Sequence, residues 1–327
     1  MDLQLDQTQP AETPHHAESE LIGENSHVIL FSTRDNAHSL IVRKGQIFDN
    51  KLGHFCHDNM IGLTYGSRLY AKHPSSNWMI VLRPSPELWG LSCTHRTEIT
   101  YQTDTALILA SLNIKPGSIV FETGTGTGCF TFSLVSAIKP NGHVYTFEYH
   151  SVRHKEAIVD FERTGISPWV TCIQRDTVET GFPAELDNTA DAIFLDLPSP
   201  WEVIQYCKKS LKHDGMLASF SPCIEQVQLT TAALANEGFA NVETIECLLR
   251  TYAVKEILDA PNFYAPPQNA IDHHPAKKTN STTPTCQDHD PTPNAQRKIP
   301  VAKPHKTMKG HTGFLTFARN YKLHSAP

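Results

Sequence analysis

The sequence contains no Cys-x-x-Cys pair: Cys56, Cys93, Cys129, Cys172, Cys207, Cys223, Cys247 and Cys286 are scattered singly along 327 residues. No spacing therefore suggests a zinc ribbon or a Cys-x-x-Cys redox dithiol, and we expect reduced thiols in an intracellular protein. The histidines are equally dispersed; His15-His16 and His273-His274 fall in polar stretches without the spacing of a structural metal site. No apolar run approaches the roughly 18 residues of a membrane span. Lys and Arg are missing from Met1 to Asn25, where Asp2, Asp6, Glu12, Glu18, Glu20 and Glu24 stand instead. This is the reverse of a secretory leader.

Positive charge is scarce in the middle of the chain as well. The formal charge of −6 divides into −6 for Met1 to Ser26, +4 for His27 to Arg96, −9 for Thr97 to Glu256 and +5 for Ile257 to Pro327. Phosphate backbones are held by clusters of Lys and Arg, so an RNA gains little from this centre unaided. The remaining composition, 39% hydrophobic and 19% charged, is that of an ordinary globular chain.

The pattern changes along the chain. Residues 1–26 predict a disordered acidic tail. Residues 27–96 predict a small all-β domain, with strands at Val28–Phe31, Ser39–Val42, Gly45–Phe48 and Met79–Leu82 separated by Asp-Asn and Pro-Ser-Ser-Asn turns. From Thr97 to Glu256 helices and strands alternate, which implies a mostly parallel sheet covered on both faces. Within it Asp104 is placed to cap a helix through Leu112, and a helical stretch is expected from Trp201 to Leu211. Residues 257–309, rich in Pro, Asn, Thr, His and Lys, predict a disordered insertion, and residues 310–320 supply a last strand. Loop closure entropy grows slowly with length, so such an insertion is tolerable.

The strongest local signal is Ile119-Val-Phe-Glu-Thr-Gly-Thr-Gly-Thr-Gly128, a strand running into glycines at alternate positions. Glycine lets the backbone turn tightly and lets a ligand approach it. A nicotinamide fingerprint would place its third glycine where Cys129 stands. The spacing instead resembles the first motif of Rossmann-like methyltransferases, Glu-x-Gly-x-Gly-x-Gly, whose cofactor is S-adenosylmethionine. Glu148, twenty residues past Gly128 at the end of the next strand, is placed to accept both ribose hydroxyls. Taken alone, the turn serves equally as a tight connection and Glu148 as a solvated strand end. Asp176, after the third strand, stands where such folds put an acid near the adenine amine, and it serves equally as a loop cap. Asp196, in Phe194-Leu-Asp-Leu-Pro-Ser-Pro-Trp201, ends the fourth strand, where open α/β sheets place their sites. The prolines force an extended exit that aims its carboxylate into the cleft; a helix cap is the alternative.

Together these residues resemble the catalytic subunit of the eukaryotic tRNA (adenine(58)-N(1))-methyltransferase. The resemblance rests on Pro86-Glu-Leu-Trp89, His95-Arg-Thr-Glu-Ile99 with Tyr101, Glu122 to Gly128, Phe194 to Trp201, Phe220-Ser-Pro-Cys-Ile-Glu-Gln-Val-Gln228 and Gly310-His-Thr-Gly-Phe-Leu-Thr-Phe317. It implies an α/β fold, a Rossmann-like class I methyltransferase sheet with a small N-terminal all-β domain. It also implies cofactor contacts at Glu98, Ile99, Thr100, Tyr101, Thr123, Gly124, Thr125, Gly126, Thr127, Gly128, Glu148, Arg153, Asp176 and Thr177, with Asp196 touching both cofactor and target base. Arg153 by itself reads equally as a surface cation. Methylation at N1 leaves adenine cationic, and a carboxylate beside it stabilises that charge. The resemblance further implies a tRNA substrate, a related non-catalytic subunit that supplies much of the tRNA grip, two copies of each subunit, and a nuclear location. Gln102-Thr103 departs from the family, where a Thr-Pro or Ser-Pro pair is common. Two other readings stay open: a non-catalytic tRNA-binding partner of the same fold, which should have lost the glycines or Asp196, and a methyltransferase for another substrate, which would not need the basic N-terminal domain.

Overall fold

A computed structural model of the chain describes residues 21–74, 76–258, 298–305, 307, 310 and 312–321. Residues 1–20 of the expected tail and most of the expected insertion lie outside the described residues. The chain divides into two compact units, Met1–Cys247 with His311–Pro327, and Leu248–Gly310.

The first unit opens with β1 (His27–Thr33), β2 (Asn36–Ile41), β3 (Ile47–Asn50), β4 (Gly53–Cys56), β5 (Arg68–Tyr70) and β6 (Trp78–Leu82). β2-β1-β6-β5 form an antiparallel sheet and β3-β4 a separate hairpin. Val28 and Leu30 alternate inward from β1 to meet Leu40, Phe55, Leu69, Met79 and Val81 in one buried cluster, as period-two strands require. The structured chain begins before the expected boundary at 27. The backbone of Ile22 is paired at both its N–H (to Leu63) and its carbonyl (from Gly62), and its side chain, 1% exposed, completes that cluster. Acidic neighbours hide such a single apolar anchor from a composition-based reading.

Next come α1 (Pro86–Ser92) and α2 (Gln102–Ser111), and then an alternating series. It runs β7 (Ile119–Thr123), α3 (Cys129–Ile138), β8 (His143–Glu148), α4 (Ser151–Arg163), β9 (Val170–Gln174), α5 (Thr177–Thr180), β10 (Ala190–Leu195), α6 (Ile204–Ser210), β11 (Leu211–Ser221), α7 (Ile224–Asn236) and β12 (Ala240–Glu246). Two expectations shift. Tyr101, not Asp104, precedes α2; Asp104 lies buried in its first turn and accepts from Thr312 Oγ1 (3.1 Å). The stretch from Trp201 is a 3-10 turn, Pro200–Glu202, before α6 begins at Ile204, with Val203 as the C-cap of the one and the N-cap of the other.

These strands, with a final strand from the chain's end, make a seven-stranded sheet in the order β12-β15-β11-β10-β7-β8-β9, parallel except where the final strand β15 (Phe314–Arg319) runs antiparallel between β11 and β12. Register decides which side each residue covers. Val120 pairs with Ala192, and these join Phe194, Ala218, Leu315 and Phe317 on the face covered by α1, α2 and α3. Phe121, Ile193, Leu195, Leu217 and Ala318 turn to the face covered by α6 and α7. Burial on both faces explains why these strands read as unbroken apolar runs. Arg163 of α4 ties the N-terminal sheet to this layer, donating to Ser39 O (2.8 Å) and Ser39 Oγ (2.9 Å).

In the second unit β13 (Tyr252–Leu258) pairs with β14 (Lys298–Pro304) as an antiparallel ribbon, from Tyr252 opposite Pro304 to Leu258 opposite Lys298. This corrects both ends of the stretch expected to be structureless. Pro300 and Pro304 argue against a strand in sequence, yet each strand of a two-stranded ribbon is an edge and tolerates proline.

Replacing Ile22 with Ala should lower the unfolding free energy by about 2–5 kcal/mol, the range for a buried aliphatic truncation. Chemical denaturation measures it; a change below about 0.5 kcal/mol would place Ile22 outside the core.

Candidate active site

Everything at the site is arranged around the turn that leaves β7. Gly124, Gly126 and Gly128 all have positive φ, at 88°, 53° and 75°, a region that disfavours side chains. Each is also pressed by a different element. A Cβ on Gly124 would stand 2.2 Å from Asp196 O, one on Gly126 2.6 Å from Thr97 Oγ1, and one on Gly128 2.8 Å from the Phe161 ring. The turn is pinned from below: the N–H groups of Gly124 and Thr125 both donate to Phe147 O (3.0 and 3.3 Å), and Asp196 N–H donates to Thr123 O (3.0 Å).

Glu148, 2% exposed, ends β8 against this turn. Its Oε2 accepts from Gly126 N–H (3.1 Å), and its Oε1 from His150 N–H (3.0 Å) and from Arg153 Nε and Nη2 (3.1 and 2.8 Å). Burial pushes its pKa up, but the Arg153 guanidinium and the two backbone donors outweigh burial and hold it below the ordinary value. Glu148 is therefore a charged, fixed carboxylate and no solvated strand end. Arg153 is its partner and no idle surface cation.

Asp196 differs. No hydrogen bond to its carboxylate is found among the described residues, and burial lifts its pKa to about 6. It caps no helix; Ser199 precedes the 3-10 turn at Pro200. Gln226 fixes the loop behind it, donating from Nε2 to Pro198 O (2.9 Å) while its Oε1 accepts from Cys223 N–H (3.1 Å).

A cleft beside the turn is lined by Thr97–Thr100, Glu122, Gly124–Phe130, Phe194 and Asp196. It thus gathers Glu98, Ile99, Thr100, Gly124, Thr125, Gly126, Thr127, Gly128 and Asp196 from the expected set. Glu148 and Arg153 stand behind it through Gly126. Tyr101 lines a larger neighbouring cavity of about 760 Å³ instead. Thr123 is fully buried beneath the turn. Asp176 and Thr177 lie one strand further out; Asp176 caps α5, its Oδ1 accepting from Val178 and Glu179 N–H (2.9 and 3.3 Å).

Three residues of the sequence motifs take part without having been assigned a site role there. Glu122, 1% exposed, accepts from Thr131 Oγ1 (2.6 Å), and burial lifts its pKa to about 8. Its place directly after Ile119-Val-Phe121, at the head of the glycine motif, is the visible signal. Arg96 pairs with Asp160 (2.7 Å) and thereby holds the segment over the cleft to α4. Thr97 adds contacts to Thr127 Oγ1, at 3.1 Å from its hydroxyl and 3.3 Å from its N–H. No local pattern reports such pairs.

A seven-stranded sheet with its last strand inserted antiparallel, a glycine turn after its first parallel strand and an acid after the second define a Rossmann-like methyltransferase. The model of the tRNA methyltransferase complex GCD14 subunit family matches residues 77–320. The tRNA (adenine(58)-N(1))-methyltransferase catalytic subunit of Dictyostelium discoideum is 36% identical over 308 residues, covering 92% of this chain and 97% of that one. The chain belongs to this family. Two solved structures share the fold: a SAM-dependent O-methyltransferase from Thermotoga maritima (TM-score 0.70, 23% identity, 95% of this chain and 100% of that one) and a tRNA (m1A58) methyltransferase from Aquifex aeolicus (0.64, 22%, 92% and 98%).

The state of Glu122 is testable. Its unfolded-state value is 4.5 and its folded value about 8, so the folded protein keeps a proton that the unfolded chain gives up. Its contribution is intact at low pH and is lost as pH rises from about 5 to 8, at up to about 1.4 kcal/mol per unit. Glu122→Gln should gain stability relative to the parent over that interval in thermal melts at successive pH values. A difference independent of pH would mean that Glu122 is ionised in the fold.

Proposed function

We propose that this chain is the catalytic subunit of a tRNA (adenine(58)-N(1))-methyltransferase, transferring a methyl group from S-adenosyl-L-methionine to N1 of an adenine in the tRNA T-loop. One observation carries the reading: the Asp196 carboxylate, without a partner among the described residues, is held beside the Gly124 turn by its own N–H bond to Thr123 O.

The residues fit the methyl donor chemically. Glu148 is charged, and its Oε2 accepts only the Gly126 N–H among the described residues, so one lone pair of that oxygen remains for a ribose hydroxyl. The glycine turn presents its backbone to the cleft. Space is the remaining requirement. The cleft beneath Thr97–Thr100 has room for about 20 Å³, the size of one water, so this segment must move outward to admit the donor.

Bound S-adenosylmethionine supplies an electrophilic methyl on a sulfonium; the chain does the rest. Adenine N1 already offers an in-plane lone pair, so alignment matters more than a strong base. Asp196 accepts a hydrogen bond from the exocyclic amine and stabilises the positive charge that grows on the ring. The adenine must leave folded tRNA to reach it, at a cost of about a few kcal/mol. The net negative catalytic stretch supports reliance on a partner subunit for tRNA grip. In the same proposal the complex holds two copies of each subunit and works in the nucleus, as the family resemblance implies. A non-catalytic role is disfavoured because the glycines and Asp196 are all retained.

Asp196→Ala should keep donor affinity and lose about 100-fold or more in turnover, read by nucleoside mass spectrometry of treated tRNA; parental turnover would remove Asp196 from this role. In the parent, kcat/KM should fall as pH drops through about 6, where the folded-state carboxylate takes up its proton, and Asp196→Asn should lack that limb. The isolated chain should bind tRNA weakly and gain activity with its partner; full activity as a homomer would contradict this.

A further inference from the structure

Two thiols are in contact where the segment over the cleft begins. Cys93 ends α1 and Cys129 is the first residue of α3, directly after Gly128. Their Sγ atoms lie 3.4 Å apart although 36 residues separate them, and both are free thiols of intermediate burial. Cys129 lines both the cleft and the neighbouring 760 Å³ cavity, which gives a small solute a path to its sulfur. The wall between the two spaces, Glu98–Thr100, belongs to both linings.

We propose that Cys93 and Cys129 form a site of oxidative modification by hydroperoxides, whose product disulfide fixes the Thr94–Tyr101 segment in the closed position and shuts out the methyl donor. The inference rests on the donor site described above.

The chemistry balances with the peroxide as oxidant. The Cys93 thiolate attacks one peroxide oxygen; an S–O bond forms, the O–O bond breaks, and hydroxide leaves as the sulfur is oxidised to the sulfenic acid. Cys129 sulfur then attacks Cys93 sulfur; the S–S bond forms, the S–O bond breaks, and hydroxide departs with the Cys129 proton as water. The hydrogen bond with Cys129 holds the Cys93 thiol below its ordinary pKa, aided by His95 and opposed by burial. The same bond and burial push the Cys129 thiol up. Either thiol can be the donor in the contact, and the reverse order, with Cys129 attacking the peroxide and Cys93 resolving, gives the same disulfide.

The consequence follows from anchoring. A disulfide spans about 2.05 Å, so the sulfurs must close by more than an ångström. Phe161 lies where a Cβ on Gly128 would stand, which leaves the backbone before Cys129 little room to shift on that side. The start of the segment is drawn in instead, toward a turn to which Arg96 and Thr97 already bind it. A segment tethered at that end cannot swing away from a cleft with space for one water.

The test treats the full chain with hydrogen peroxide, maps peptides under non-reducing conditions, and titrates S-adenosylmethionine by calorimetry. The expected result is a Cys93–Cys129 peptide link, donor affinity lowered about tenfold or more, and recovery with dithiothreitol. Cys93→Ser should keep parental donor binding before and after peroxide, although the exposed Cys223 remains oxidisable. The inference is overturned if the linked peptide does not form, or forms with donor affinity unchanged. Reduced protein that fails to bind the donor at all sinks the functional reading itself, and this consequence with it.

Discussion

The site depends on a backbone packing constraint: three left-handed glycines leave β7 with no space over any of them. The Asp196 carbonyl, the Thr97 hydroxyl and the Phe161 ring each occupy the place of a missing Cβ. The turn therefore does more than permit close approach by a ligand. It fixes the positions of the strand end that bears Asp196, the segment that covers the cleft and the helix that anchors that segment. Displacing the turn would displace all three together, because packed interiors shift as units.

Around that turn the fold holds three carboxylates in three electrostatic states. Glu148 is kept charged by Arg153 and two backbone donors, Glu122 is kept neutral by burial beside Thr131, and Asp196 lies between them, raised by burial without a compensating partner. Environment, not residue type, assigns these roles. A fixed anion suits neutral hydroxyl donors. An unpartnered one suits a charge that appears only during reaction, since an interaction formed in the ground state would not lower the barrier.

The cover over the cleft belongs to the same physics. Arg96 and Thr97 close it through an ion pair to α4 and a hydroxyl contact to the turn. Contacts of this kind are individually weak enough to reverse. The thiol pair at the origin of the segment, once oxidised as proposed, adds a bond that reverses only with a reductant.

Much of this was legible in the order of residues. Alternating apolar strands and helices, the glycine triplet, Glu148 twenty residues on and Asp196 before its prolines are local patterns, and local patterns follow from backbone geometry that each residue carries with it. The sequence alone thus determined the sheet, the turn and the strand-end acids. Tertiary structure decided the rest: that Glu122 is neutral, that Arg153 supports Glu148, that Arg96 finds Asp160 across 64 positions, that Tyr101 faces the other cavity, that Ile22 joins the core and that Pro300 sits in a ribbon. Protonation, closure and pairing depend on burial and on partners distant in the chain, and these exist only once the chain has folded.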